Sequence, residues 1–346
     1  MRTLVFTGGG TLGHCIPNLA LYPYLKDGFD RFYYIGSENG PEKAAVEGIM
    51  EYMHISTTKL VRSLDLSNLL IPFRLIKGVR QAKEILKTVR ADVVFSKGGF
   101  VSVPVVIAAS ALKIPVISHE SDLTLGLANR LTHRKCKFVL TSFAATARKL
   151  SNGIYTGPPI RDEIFADKRA QARKRLPFGG KKPVLLVVGG SSGAKKINDL
   201  ICENVDEILK IYDILHICGD KHTNGLKRKG YVQIGFEKDM ALVYSACDMA
   251  VSRCGSNTAF ELFARCIPTL FIPLSKQSSR GDQIENANYF EDKGLSVTLT
   301  EEDMCIRSLI DKLDLLDKNR EFYIDKMRAL DLKSANKRIA DIIKYN

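Results

Sequence analysis

A chain of 346 residues, 45% hydrophobic and 26% charged, can bury cores for two ordinary domains and is too apolar for a disordered protein. Its net charge of +13 is concentrated in the first half, where residues 1–160 carry 20 Lys and Arg against 11 Asp and Glu, compared with 31 against 27 over residues 161–346. Such an excess fits nucleic acid, an anionic membrane face or an acidic ligand and does not choose among them; the eight cysteines form no C-x-x-C pair and read as reduced core residues of a cytosolic protein, not as disulfides or zinc ligands.

The chain runs from Met1 straight into a short strand and a glycine loop, with no apolar stretch of signal-peptide length, so export is not expected. Candidate strands follow at residues 4–7, 32–35, 93–96, 115–119 and 138–141, alternating with helical patterns, which predicts βαβ units and a parallel sheet. The longest apolar run, 101–117, is broken by Pro104, Lys113 and Pro115. A spanning helix needs about 20 uninterrupted residues, so this run predicts a buried helix followed by a buried strand.

Between Lys59 and Arg90 lie eight basic residues against two acids, mixed with Leu69, Leu70, Ile71, Phe73, Leu75, Ile76 and Val79. A basic amphipathic helix of this kind suits an anionic bilayer, with Leu69, Leu70, Ile71, Phe73, Arg74, Lys77 and Arg80 as the candidate patch; the alternative is a solvated helix face with a buried apolar side. Nucleic acid fits less well, since the chain has no Trp and its aromatics do not interleave with the basic run. After Gly157-Pro-Pro-Ile-Arg161 a second series opens, with strands at 183–188, 214–218, 232–234, 249–252, 269–272 and 296–299. Both halves begin with an apolar strand entering a glycine turn, which predicts two facing Rossmann-like domains, 1–160 and 161–346, with the last helix, about 335–346, packing back onto the first.

Gly189-Gly-Ser-Ser-Gly193 ahead of a helix near Ala194 offers backbone N–H groups and a positive helix end to an anion such as a diphosphate; a plain tight turn is the alternative. Arg253-Cys-Gly-Ser-Asn-Thr258 is a second glycine turn entering a helix, with Glu261 placed to accept hydrogen bonds from ribose hydroxyls. The first loop, Thr7-Gly-Gly-Gly-Thr-Leu-Gly-His14, ends in a histidine whose near-neutral pKa range suits a general base, although a lone histidine is more often structural. Ser96-Lys-Gly-Gly-Phe100 and His119-Glu-Ser-Asp122 follow strands and should reach the same rim; Lys97 reads equally as a solvated rim charge. No Asp-x-Asp occurs, so the simpler expectation is a metal-free transfer, with backbone dipoles and Arg161 stabilising a leaving diphosphate.

Together these blocks resemble the MurG family of peptidoglycan N-acetylglucosaminyltransferases over nearly the whole chain. The carriers are Thr7 to His14 with Pro17-Asn18, Lys97 to Pro104, His119 to Gly126 with Asn129, Gly157 to Arg161, Gly189 to Ala194 with Asn198, Ser252 to Thr258 with Glu261, and Pro273 to Lys276 leading to Gly281-Asp-Gln283 and Asn286. The resemblance implies a GT-B fold with a cleft between its domains. The implied activity is inverting transfer of N-acetylglucosamine from UDP-N-acetylglucosamine to the 4-hydroxyl of undecaprenyl-pyrophosphoryl-muramoyl-pentapeptide, at the inner face of the bacterial membrane. UDP-N-acetylglucosamine is then a substrate and no cofactor is implied. Position by position it assigns Ser191 and Arg161 to the diphosphate, the backbone near Glu237 to uracil, Thr258 to the phosphates, Glu261 to ribose, and Asp282 and Gln283 to the donor sugar. On the acceptor side it assigns Thr11, Gly13, His14, Phe100 and Asp122, with His14 and Asp122 as the catalytic candidates.

Three positions depart from the family's commoner wording: Leu12-Gly13 for two glycines, Glu120-Ser-Asp122 for Glu-Gln-Asn, and Asp282 for one of two paired glutamines. The alternative within the same fold is another UDP-sugar transferase with a different lipid acceptor.

Overall fold

The computed structural model describes residues 1–57, 71–178, 180–190, 193–277 and 279–346. Leu69, Leu70 and Ser191 lie outside the described residues. The chain forms two compact units, one of residues 1–161 joined by 334–346, the other of residues 162–333.

The first unit is built on seven strands, β1 (Thr3–Thr7), β2 (Arg31–Ser37), β3 (Glu51–Ile55), β4 (Val93–Ser96), β5 (Val116–Glu120), β6 (Phe138–Thr141) and β7 (Gly153–Tyr155). They pair in parallel in the order β3-β2-β1-β4-β5-β6-β7. The second unit carries β8 (Val184–Val188), β9 (Asp213–Ile217), β10 (Tyr231–Ile234), β11 (Met249–Ser252), β12 (Thr269–Phe271) and β13 (Val297–Thr298), also parallel, in the order β10-β9-β8-β11-β12-β13. Both are α/β sheets of Rossmann type. The strand order reverses between β1 and β4 and between β8 and β11, and at such switch points ligands bind beyond the carboxyl ends of the strands.

Strand alternation divides the first core in two. Leu4 and Phe6 of β1 face one layer with Phe95, Ile117 and Leu140, whereas Val5 faces the other with Ile35, Val94 and Val139. The first layer is closed by the C-terminal helix Ala335–Lys344, whose Ile339, Ala340 and Ile343 are buried in it. Asn336 of that helix accepts from the Ile160 N–H at 3.1 Å and donates to the Ile160 carbonyl at 2.6 Å, and Arg338 donates to the Thr156 carbonyl. Ile339→Ala is therefore expected to cost about 2–5 kcal/mol of first-unit stability by leaving a cavity, read as a lower urea midpoint for that unit's transition; an unchanged midpoint would contradict the packing.

The sequence reading omits β3 and β7. Both are edge strands: β3 presents exposed Glu51 and His54, and β7 has three residues with no buried side chain, so neither carries the apolar run that marks the central strands. The apolar run 101–117 resolves as the helix Ser102–Ala111 and the start of β5. Among the described residues no helix is long and apolar enough to cross a membrane.

Candidate functional site

In the first unit three segments leave the carboxyl ends of the adjacent strands β1, β4 and β5. After β1 the loop Gly8–Gly10 leads into the helix Leu12–Leu21, with Thr11 and Gly13 exposed and His14 in the first turn. The Thr11 hydroxyl lies 3.0 Å from His14 Nδ1. The loop is held from beneath: Tyr34 donates to the Gly8 carbonyl at 2.8 Å, and Asn18 donates to the carbonyls of Thr7 and His14. Fully buried Glu42 accepts from the N–H and hydroxyl of Ser37 at 2.9 and 2.6 Å and lies 3.4 Å from the Gly10 nitrogen.

After β4, Gly98 and Gly99 take φ of +85° and +79°, and a Cβ on Gly99 would strike the Gly9 carbonyl and come within 3.3 Å of His14 Nδ1. A Cβ on Gly10 would likewise collide with the Phe100 ring. The two glycine turns interlock, and this brings Thr11, His14 and Phe100 together.

After β5, Glu120 ties its own turn, accepting from Asp122 N–H at 3.1 Å, Gly126 N–H at 2.8 Å and Asn129 Nδ2 at 2.8 Å. Burial and then the neighbouring Asp122 charge raise the Glu120 carboxyl, and these hydrogen bonds act against that rise. His119 donates from Nε2 to the Gly157 carbonyl at 3.1 Å, and burial together with the Lys97 charge holds it well below the usual histidine range, in the neutral form. Lys97 is not the solvated rim charge that the sequence allowed: it is 3% exposed and donates to Ser121 Oγ.

In the second unit, Gly189 and Gly190 follow β8, and Ala194 precedes the helix Lys195–Glu203. A Cβ on Gly193 would enter the Cys218 carbonyl. Asn198 donates to that carbonyl at 2.8 Å and binds His216 Nε2 at 2.9 Å, and burial lowers His216 to about 4. After β11, Gly255 opens the helix Ser256–Ala264 with no atom within 4 Å of where a Cβ would stand, so its amino end is uncrowded on that side. Thr258 is half-buried in the first turn. Glu261 lies in the second turn, half-buried, with Oε2 accepting from the Tyr244 hydroxyl at 3.0 Å.

Gln283 accepts from the Leu274 N–H at 3.0 Å through Oε1, which directs its amide nitrogen away from that contact. Asp282 begins the helix Asp282–Asp292 behind Gly281 in the left-handed region, 3.6 Å from Arg280. An acid there is favoured by the helix dipole, which gives the Asp282 departure a structural reason of its own. The Glu237 carboxylate accepts from Arg175 at 2.7 Å and from the Asp239 N–H at 2.9 Å, so its side chain is already committed. Beside it Phe236 is 46% exposed. Arg161, half-buried, is the last residue of the first unit before the chain enters the second.

Sequence reasoning missed several supports of this site. Glu42 follows Gly40-Pro41 at the start of a short helix, where an acid ordinarily reads as a surface residue, and Tyr34 reads as an ordinary strand aromatic. Arg253 appeared only as part of a turn motif. It is buried, pairs with Glu301 at 2.5 Å and donates to the carbonyls of Ile272 and Pro273, binding β11 to the segment after β12.

Two family profiles match the chain: the glycosyltransferase family 28 N-terminal domain over residues 4–141 and its C-terminal domain over residues 184–344. The chain is similar to the UDP-N-acetylglucosamine--N-acetylmuramyl-(pentapeptide) pyrophosphoryl-undecaprenol N-acetylglucosamine transferase of Clostridium kluyveri, at 45% identity covering 99% of each chain. It is 44% identical to the protein of the same name from Clostridium tetani, covering 99% of this chain and 97% of that one. Among solved structures, the crystal structure of Acinetobacter baumannii MurG superposes with a TM-score of 0.74 at 23% identity over the whole of both chains. The UDP-GlcNAc 2-epimerase of Neisseria meningitidis bound to UDP-GlcNAc superposes at 0.70 with 14% identity, covering all of both chains. These two structural likenesses establish the fold alone.

Proposed function

The chain belongs to glycosyltransferase family 28, and from that premise we propose how its groups carry the transfer. The reaction moves N-acetylglucosamine from UDP-N-acetylglucosamine onto the lipid-linked muramoyl-pentapeptide, and the observation that carries this is 45% identity over 99% of the chain to a transferase of that name.

On the acceptor side, His14 acts as general base. With Nδ1–H donating to the Thr11 hydroxyl, the basic lone pair sits on Nε2, which takes the proton from the muramoyl 4-hydroxyl. The hydroxyl oxygen then bonds to the anomeric carbon of the donor as that carbon's bond to the diphosphate oxygen breaks, inverting the centre to a β link. Phe100 and Asp122 border the same turn cluster and orient the acceptor sugar.

On the donor side, Glu261 takes the ribose hydroxyls, Thr258 and the amino end of its helix take the phosphates, and Gln283 with Asp282 takes the sugar. Phe236, exposed beyond β10, offers a face for the base beside the backbone at Glu237. The departing diphosphate gains its stabilisation from helix-end N–H groups and from Arg161, without a divalent ion. Turnover in EDTA followed by NMR of the product tests this reading. A β-linked N-acetylglucosamine at the muramoyl 4-oxygen supports it; an α link, loss of turnover in EDTA, or release of a 2-epimer without transfer contradicts it.

The same reading places the protein peripherally on an anionic membrane face. The helix Ile71–Thr88 buries Gly78, Ala82 and Leu86 while Phe73 and Ile76 are 70% and 51% exposed among exposed Arg74, Lys77 and Arg80. Neutralising these three basic residues is expected to weaken binding to anionic vesicles by about 100-fold at low salt, at about 1 kcal/mol for each. Equal binding of the variant by vesicle sedimentation would remove this face from the membrane.

A further inference from the structure

One charged group at the ends of the central strands has no part in the transfer as described. Lys97 follows β4, its N–H donating to the Thr7 carbonyl of β1 at 2.9 Å, and its side chain runs inward toward the turn that follows β5. At 3% exposure the ammonium does not reach a ligand, so it acts through its neighbours. The ammonium donates to Ser121 Oγ, and the carboxyl groups whose charges it feels are Glu120 and Asp122.

We propose that Lys97 is a positioning residue for the acceptor side: held by Ser121 and facing the charges of Glu120 and Asp122, its buried ammonium fixes the 120–122 turn and presents the Asp122 side chain to the acceptor sugar. The inference rests on the reading of Asp122 as an acceptor-side group.

Three observations support it. The backbone that follows Lys97 is closely packed, since Gly99 at positive φ leaves no room for a Cβ against the Gly9 carbonyl. The oxygens of Glu120 are engaged by Asp122 N–H, Gly126 N–H and Asn129, so the turn has a fixed frame, and Ser121 on that frame accepts from the Lys97 ammonium. Buried Glu120 and half-buried Asp122 stand two residues apart on this turn, and two such carboxyl groups repel unless a cation lies beside them, as the buried Lys97 ammonium does.

Burial pushes Lys97 down to about 8, with Glu120 and Asp122 drawing it back up. The positive charge is therefore present below about pH 8 and fades above it. The titratable groups around it are Glu120 and Asp122 on the turn it serves, neutral His119 on β5, and His14 across the interlocked glycine turns.

The test is a double-mutant cycle on kcat with its pH profile. Lys97→Met is expected to lower kcat by about 10- to 100-fold, the scale of a misplaced reacting partner, with the donor KM nearly unchanged. It should also abolish an alkaline limb near pH 8 in the wild-type profile. In an Asp122→Asn background the same change should cost little, because the group it positions is gone. Ser121→Ala, a small change that leaves the charges in place, should give a partial kcat loss of the same kind and carries the test if Lys97→Met does not fold. Full additivity of the two changes, a retained alkaline limb in Lys97→Met, or wild-type kcat in Ser121→Ala together with Lys97→Met would overturn the inference. An Asp122→Asn variant with wild-type kcat would instead overturn the acceptor-site reading on which it stands.

Discussion

His14→Ala is expected to lower kcat by about 10²- to 10⁴-fold, the usual contribution of a positioned general base, while the KM for UDP-N-acetylglucosamine stays close to wild type. The loss falls on kcat because the histidine's task arises only as the acceptor hydroxyl gives up its proton. Apart from Arg161, the donor contacts proposed above belong to the other unit, and none of them involves this ring. The geometry also limits collateral damage. The turn around His14 is held by its backbone, by Asn18 and Tyr34, and by the interlocked Gly9 and Gly99, none of which needs the imidazole. Steady-state kinetics at saturating acceptor read the effect directly. A kcat within about threefold of wild type would remove His14 as the base and move that role to Asp122, the other catalytic candidate on the acceptor side.

Glu261→Ala is expected to act on the other substrate, lowering kcat/KM for the donor by about 10²- to 10⁴-fold, mostly through KM. Two hydrogen bonds from ribose hydroxyls to a carboxylate account for a few kcal/mol, each being worth about 1.5–3 kcal/mol when one partner is charged. The helix that carries Glu261 is fixed by Ala259, Phe260, Leu262 and Phe263, all buried, and the Tyr244 hydroxyl steadies one carboxylate oxygen at 3.0 Å. The carboxylate is thus aimed before the nucleotide arrives, and removing it leaves the fold in place. Glu261→Gln, which keeps one acceptor oxygen, should fall between wild type and Ala. A donor KM unchanged in Glu261→Ala would take this residue out of the nucleotide site.

The central strands were legible because each is apolar on both faces, as a covered parallel strand must be, and the residues after them announce their turns by glycine. Leu-Val-Phe ahead of Gly8 and Leu-Leu-Val-Val ahead of Gly189 mark the first strand and glycine turn of each half, and the sheets place both strands beside a reversal of strand order that the sequence does not show. What the sequence concealed were the partners supplied from elsewhere in the chain. Glu42 looks like a surface acid until the glycine loop is seen lying over it, and Lys97 looks like a solvated charge until β5 brings Ser121 and two carboxylates to it. Local pattern reports which residues turn and which are buried in their own element; the charge environment of a buried lysine is set by residues more than 20 positions away. Asp282 shows the opposite limit, since its place at a helix start gives it a structural reason to be acidic whatever it does for the donor sugar.

The most direct test of the central claim is transfer by the purified protein of radiolabelled N-acetylglucosamine from UDP-N-acetylglucosamine to a short-chain lipid-linked muramoyl-pentapeptide, with the product separated and counted. The account predicts label in the lipid-linked product, with UDP released in equal amount and transfer falling steeply in His14→Ala. Tight binding of UDP-N-acetylglucosamine with no label transferred to this acceptor would contradict it.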